Sequence, residues 1–424
     1  MFPVGCRQQA GYAPGNQLNL YMKKQTLQKT ARHATLGVLL FLITTNSRAQ
    51  LPSAQYVAGQ MTVGWNLGNS LEAICGETAW GGAVTTRQLI DSVKAAGFNT
   101  VRIPCAWDCH AHNGVIDEKW IARVKQVVDY CVDRKLYVVL NIHWDGGWLE
   151  NNVTTSAQAA VNAKQQNYWT QIAKYFKHYD QHLLFASANE PNVTDAAGMA
   201  VLLSYHQTFI NAVRATGGNN SSRTLIIQGP SADIDKTNTL MNTLPADPAA
   251  GRLIVEVHYY TPYQYCLMEK DESWGNMFYY WGRGYHNTAD AKRNATWGEE
   301  GNLDSSFTLM KTKFVDKGIP VIIGEYGAGK RTLSPPSDEN LHLASRLYYY
   351  RYLVNSAKSK GMIPFCWDIN MGLFNRDVPS ILDHAVINAI KQGAGAANSA
   401  FKNGTGTLMA DSVYTNAKSA NTGQ

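Results

Sequence analysis

Two glutamates in this sequence each close an apolar run: Glu190 in Asn189-Glu190-Pro191 and Glu325 in Gly324-Glu325-Tyr326. A pair of carboxylates can divide a reaction between them, one moving a proton while the other attacks carbon. Cleavage of a glycosidic bond needs such a pair. In its retaining form the two groups lie about 5–5.5 Å apart. Other apolar runs also stop at polar or titratable residues: Arg102-Ile-Pro104, His143-Trp144-Asp145, His258-Tyr259-Tyr260 and Trp367-Asp368. One strand-end glutamate alone would read as an ion-pair partner. The second glutamate, and the aromatics beside both, favour chemistry.

These residues need elements that bring them to one place. After residue 60 a short apolar strand and a helical stretch alternate. The expected strands are Met61–Asn66, Thr100–Pro104, Tyr137–His143, Leu183–Asn189, Thr224–Gln228, Leu253–His258, Pro320–Glu325 and Met362–Trp367. Runs such as Val321-Ile322-Ile323 are apolar on both faces, as in a parallel sheet covered by helices. Helices are expected from the Thr85-Thr86 cap to Ala96, from Asp117 to Arg134, from Ser306 to Lys317 and from Leu341 to Ser359. Gly97, Gly318 and Gly361 act as stops for three of them. Eight such units predict an α/β fold, a (β/α)8 barrel forming a single catalytic domain over residues 50–395. A doubly wound open sheet is the alternative, but no Gly-x-Gly-x-x-Gly follows a strand and no Walker loop is present. In a barrel, the carboxyl ends of the strands form one mouth, which collects the polar residues that end the apolar runs. The long gap from His258 to Pro320 carries Trp274, Trp281 and Trp297 and reads as a functional loop.

The chain has 424 residues and a formal charge of +6. Six of its 38 basic residues lie in residues 1–49, which hold no Asp or Glu; the other 32 equal the 32 acids. Polyanion binding therefore has no support beyond the leader, and no nucleic-acid partner is expected. The leader itself has the three parts of a secretory signal. These are a basic region after Met22-Lys23-Lys24, an apolar stretch from Leu36 to Ile43, and small residues around Ser47-Arg48-Ala49. Residues 22–49 read as the signal peptide, with 1–21 upstream of the true start. An exported protein with no membrane span in its mature form is expected. Residues 396–424 form a low-complexity tail, whose Ala, Asn, Ser, Thr and Gly bias begins at Gly393. Six cysteines follow the leader, too few for a disulfide scaffold. They read mostly as buried thiols, with a loop bridge involving Cys75 or Cys109 as the alternative. Cys105-x3-Cys109 lacks a second ligand pair for zinc.

The ordered motifs resemble glycoside hydrolase family 5, and its cellulase-type subfamily 4 most. They are Gly64-Trp-Asn-Leu-Gly-Asn69, Val101-Arg-Ile-Pro104, Asn141-Ile-His-Trp144, Ala188-Asn-Glu-Pro191, Glu256-Val-His-Tyr-Tyr260, Thr296-Trp-Gly298, Ile323-Gly-Glu-Tyr-Gly327 and Trp367. The resemblance implies a retaining endo-β-1,4-glucanase acting on cellulose or mixed-linkage β-glucan, or on xyloglucan or mannan by the same mechanism. It implies Glu190 as acid/base and Glu325 as nucleophile. Arg102 and Tyr260 would support Glu325, His258 would stand beside Glu190, and Asn189 would bind the sugar 2-hydroxyl. His143 would serve a subsite and Trp367 the floor of the −1 sugar. Asn66, Trp144, Trp148, Trp80, Trp274 and Trp281 are further subsite candidates. His110, His112 and His286 are left to surface or loop positions. No metal or cofactor is implied, and a monomer is expected. The reading from a different class is a non-catalytic glycan-binding barrel, which would be expected to lack one of the two carboxylates.

Overall fold

The computed structural model describes residues 50–396. Eight parallel strands close a barrel: β1 (Gly64–Asn66), β2 (Thr100–Ile103), β3 (Tyr137–Asn141), β4 (Leu183–Ala186), β5 (Leu225–Gln228), β6 (Leu253–Tyr259), β7 (Val321–Tyr326) and β8 (Ile363–Cys366). They pair in chain order, and β1 closes the ring against β8. The helices longer than one turn are α1 (Ala54–Gln60), α2 (Arg87–Ala95), α3 (Glu118–Val132), α4 (Gln158–Tyr175), α5 (Ala196–Ala215), α6 (Ile234–Leu240), α7 (Glu300–Lys313), α8 (Glu339–Ser359) and α9 (His384–Ala396). The expected (β/α)8 barrel is therefore the observed fold. No helix among the described residues is long and apolar enough to cross a membrane.

Local chemistry sets the helix ends. Thr86 caps α2 by accepting the Leu89 N–H, and Asp117 caps α3 by accepting that of Lys119. Asp195, Asp233 and Asp338 do the same for α5, α6 and α8. These oxygens satisfy donors that the helix itself leaves unpaired. Gly97 and Gly318 follow α2 and the short turn after α7 with φ of 102° and 79°, where a side chain would be strained.

The two-residue period of each strand sorts its side chains. One set packs outward against the helices, including Val101, Ile103, Val138, Leu140, Val255 and Val257. The other fills the barrel, with Val139, Leu184, Ala186, Ile226, Ile254, Ile322, Ile363 and Phe365 in one cluster. Helix α1 closes the amino end of that interior, adding Ala54, Val57 and Ala58, with Met61 just beyond it. One step towards the carboxyl end the inward set turns polar: Asn66, Arg102, Asn141, Gln228 and Glu256 are all fully buried.

A bulge breaks this period once, at the site that matters most. Val257 pairs with Ile323 but His258 pairs with Glu325, so Gly324 is an extra residue in β7. The pairing with β8 shifts in the same place. An extra residue re-aims the side chain after it.

The structure corrects several expectations. β3, β4 and β8 end earlier than expected, so His143, Asn189 and Trp367 lie just beyond the ladders, while β6 and β7 run one residue further than expected. The tail read from Gly393 begins inside α9. A Cβ there would stand 2.5 Å from the Arg351 carbonyl of α8, so the glycine permits close helix packing and does not mark a linker. The rest of the tail and the leader lie outside the described residues. Cys75 and Cys109 form a disulfide with Cα atoms 5.4 Å apart, while Cys105, Cys131, Cys266 and Cys366 are buried thiols. The bridge ties the β1 loop to the β2 loop.

Candidate active site

The mouth is built around one buried cation. Arg102, from β2, is fully buried, and burial works against its charge. Glu256 and Glu325 outweigh that cost and raise its pKa further. Its fork reaches four partners. One terminal nitrogen donates to Glu325 Oε1 at 2.8 Å and to Asn66 Oδ1 at 3.0 Å. The other donates to Asn189 Oδ1 at 2.8 Å, and Nε lies 2.9 Å from Glu256 Oε1. Asn66, expected at a subsite, is fully buried and donates to the Gly324 carbonyl at 2.9 Å. It therefore supports Arg102 from beneath and has no exposed surface to offer a sugar.

Glu325 follows the bulge at Gly324. Its Oε1 accepts from Arg102 and its Oε2 accepts from the Tyr260 hydroxyl at 3.0 Å. Burial pushes its pKa up and the charge of Glu190 adds to this, against His258, Arg102 and Tyr260. Both oxygens accept, which is the bonding pattern of an ionised carboxylate. An anion so poised, stripped of water and held by two donors, is a nucleophile.

Glu190 sits beyond β4 with its side chain 42 % exposed. Its Oε1 lies 2.6 Å from His258 Nδ1. His258 Nδ1 is also 3.8 Å from Glu325 Oε2, and its Nε2 is 3.3 Å from Glu256 Oε1. Burial opposes a charge on this imidazole, but Glu325, Glu190 and Glu256 push its pKa up to about 10. Burial likewise opposes ionisation of Glu190, yet the hydrogen bond and charge of His258 hold its carboxyl below the usual value. The short His258–Glu190 hydrogen bond thus joins a group that favours its proton to one that favours losing it. An oxygen of Glu190, an oxygen of Glu325 and a ring nitrogen of His258 all lie within 4.8 Å of one another. The same trio could in outline surround a cation. An imidazolium has no free lone pair, however, so the arrangement suits proton sharing better than metal ligation.

The remaining expected residues frame the pair. His143 Nδ1 accepts from Asn141 Nδ2 at 3.2 Å. Burial, then the charges of Arg102 and His258, hold its pKa well below the usual value. It is therefore a neutral imidazole with an Nε2–H to give a hydroxyl. Its ring stacks on Trp367 at 5.8 Å. Gly68 explains part of the Gly-Trp-Asn-Leu-Gly-Asn motif, since a Cβ there would stand 2.7 Å from the Trp367 ring. Asn189 has its amide oxygen fixed by Arg102, which turns its NH2 end elsewhere. Trp144 is exposed next to His143, and Trp80 and Trp274 are exposed as well.

Others do not reach the mouth. Trp281 is fully buried against Tyr348 and Tyr349 and donates to the Gly298 carbonyl, so it is a core residue and not a subsite. Trp148 is half-buried edge-on to Tyr168 and donates to Asp145. His110 lies in the loop after β2, where its ring stacks on Trp120 at 3.6 Å. His286 pairs with Glu299 at 2.7 Å.

Two residues of the site had no role in the sequence reading. Glu150, in the loop after β3, accepts the backbone N–H of Glu190 at 2.8 Å. Burial pushes its pKa up to about 7. Glu256 sits on β6 two residues before His258, on the same inward face. A glutamate inside an apolar strand was its signal, since a buried charge requires partners.

Known proteins resemble the chain over most of its length. The family model described as Cellulase (glycosyl hydrolase family 5) matches residues 64–372. Endoglucanase A of Paenibacillus barcinonensis is 35% identical over 376 residues, covering 80% of this chain and 90% of that protein. A GH5 xyloglucan-specific beta-1,4-glucanase from a ruminal metagenomic library, solved in complex with XXLG, is 43% identical with a TM-score of 0.75. That match covers 81% of this chain and 97% of the solved one. A GH5-4 broad specificity endoglucanase from Clostridium cellulovorans is 30% identical with a TM-score of 0.69, covering 81% and 97%.

Proposed function

The chain belongs to glycosyl hydrolase family 5 and is a glycoside hydrolase, and from that premise we propose that it is a retaining endo-β-1,4-glucanase. The observation that carries this reading is the carboxylate pair: Glu190 and Glu325, on opposite walls of one mouth, bridged by His258. Oxygens of the two within 4.8 Å of each other support a retaining pair over an inverting one, which spaces its carboxylates to admit a water.

The chemistry follows from the contacts. Glu325 attacks the anomeric carbon while Glu190 passes its proton to the departing glycosidic oxygen. Arg102 and Tyr260 hold Glu325 in place and take up its charge change. Water then enters, gives a proton to Glu190 and displaces Glu325, so the configuration is retained. The NH2 of Asn189 and the Nε2–H of His143 are the donors for sugar hydroxyls. Trp367 supplies an apolar face for a pyranose ring, as aromatic side chains do for surfaces that are both apolar and hydrogen-bonding.

A specific observation favours a branched β-1,4-glucan such as xyloglucan over a bare one. A groove of about 400 Å³ opens from Tyr260 and Trp367 and runs past Leu267, Lys330, Ile369 and Met371. Leu267, Ile369 and Met371 expose apolar surface there, suited to a side-chain sugar. The relative bound to XXLG acts on xyloglucan. Export through the leader, and a mature enzyme that acts outside the cell, are part of the same proposal, because a polysaccharide of this kind does not enter cells.

Initial rates on carboxymethylcellulose, lichenan, xyloglucan, xylan and mannan test the reading. Xyloglucan is expected to rank first and mannan last. Proton NMR of early products should show the β-anomer first. α-First products would exclude double displacement, and no hydrolysis of any β-1,4-glucan would exclude the activity.

A further inference from the structure

Two of the three side chains that hydrogen-bond the catalytic carboxylates converge on one buried atom. Arg102, which holds Glu325, and His258, which holds Glu190, each approach Glu256 Oε1, at 2.9 and 3.3 Å. Glu256 Oε2 accepts from Gln228 Nε2 at 2.6 Å. Gln228 in turn accepts the backbone N–H of Ala188 through Oε1, at 2.9 Å. Ala188 leads directly into Asn189 and Glu190. Every oxygen position of Glu256 is thus an acceptor, and the fully buried carboxylate has no room for a proton of its own. Its place is kept open by Gly324, where a Cβ would stand 2.0 Å from Glu256 Oε1. The residue before the nucleophile is small because this carboxylate occupies the space.

We propose that Glu256 is a positioning residue that fixes the proton of His258 on Nε2, so that the Nδ1 proton alone is exchanged with Glu190. This rests on the glycosidase reading above and adds to it the origin of the catalytic proton. The imidazole has two nitrogens, and which one keeps its proton is set by the partner of the other. With Glu256 holding Nε2–H, the Nδ1 proton faces Glu190 Oε1. It passes to Glu190 and leaves a neutral imidazole. Glu190 then gives it to the glycosidic oxygen as the C–O bond breaks and Glu325 bonds to the anomeric carbon. In the second half, water bonds to that carbon, its proton goes to Glu190, and the bond to Glu325 breaks. The proton returns to Nδ1, so no proton is gained or lost over the cycle.

The charged and titratable groups facing His258 are Glu190 after β4, Glu325 on β7, Glu256 on its own strand, Arg102 on β2 and His143 after β3. The three carboxylates favour the imidazolium, and the two basic groups do not. Glu256 differs from the other two carboxylates because it does not change its bonding during the reaction.

The test compares Glu256→Gln with the wild type on two substrates. A β-1,4-gluco-oligosaccharide has a leaving group that needs a proton, whereas 2,4-dinitrophenyl β-cellobioside does not. The variant should lose about 10²-fold in kcat/KM on the oligosaccharide, the scale of general-acid assistance. Its alkaline limb should move at least one pH unit lower. On the dinitrophenyl glycoside kcat/KM should change less than about threefold, because Glu325 still attacks. Equal losses on both substrates, or no loss on either, would overturn the proposal. A variant that does not fold leaves a second readout on the wild type, ¹⁵N NMR of labelled histidines across pH. One imidazole should keep Nε2–H throughout and release only its Nδ1 proton, far above the ordinary histidine range. An Nδ1–H neutral form, or titration near 6.5, would overturn the proposal. This readout needs no turnover, so it separates failure of the relay from failure of the substrate reading.

Discussion

The two ends of the barrel are made from the same eight strands and do opposite work. At the amino end, α1 and Met61 close an interior of Val139, Leu184, Ile254, Ile322 and Ile363, and the buried Arg223 outside it is held by backbone carbonyls and not by a carboxylate. Two residues further along the strands, the same inward positions hold Arg102, Gln228 and Glu256, then His258 and Glu325. The first end stabilises by removing apolar surface from water. The second buries ionised groups, which costs free energy unless each has a partner. The period of the strand keeps the two apart, so charges can be packed for catalysis without opening the core. The comparison implies that substitutions at one end should move activity and at the other stability.

The largest effect should come from the nucleophile. Glu325→Gln should lower kcat by about 10⁴-fold or more, while its Tm stays within a few degrees of the wild type in a calorimetric scan. A large fall in Tm would break the division between the ends. Met61→Ala should do the reverse. A side chain buried to 1 % exposure is removed, at a cost of about 2–5 kcal/mol, read from urea unfolding, with kcat changed less than twofold.

How far these roles were legible depends on what each residue ends. Glu190, Glu325, His258 and Arg102 close or flank apolar runs, and a parallel barrel brings such ends to one mouth. Glu256 lies inside its run, where a charge looks like an exception and not an end. Glu150 lies in a loop whose path has no periodicity to read. The bulge at Gly324 and the depth of Asn66 depend on register between distant strands. Trp281 and Trp148 share their residue type with Trp144 and Trp274, and only packing separates core from surface. The fold was more legible than the site because eight repeated patterns support one another, whereas each buried partner is a single residue.

The mouth should also respond to pH. Burial pushes the carboxyls of Glu72 and Glu150 up to about 7 and that of Asp145 up to about 6. All three are raised above their unfolded values, so the folded chain holds extra protons between those values and about 7. The stability they contribute is complete below about pH 4 and is lost as pH rises through 7. Across that window Tm should fall by several degrees, and Glu150→Gln should flatten part of the slope. A Tm that rises from pH 5 to pH 8 would contradict these carboxyls as buried acids. A smaller effect is expected from Trp144→Ala. Loss of one exposed stacking face should raise KM about three- to tenfold, at roughly 1 kcal/mol, with kcat nearly unchanged.

The most direct test of the division asks which residue at the mouth bonds to the sugar. Wild-type enzyme is incubated with 2,4-dinitrophenyl 2-deoxy-2-fluoro-β-cellobioside, then digested and sequenced by mass spectrometry. A single fluoroglycosyl adduct is expected on Glu325, with Glu190 unmodified. An adduct on Glu190, or inactivation without any adduct, would contradict that.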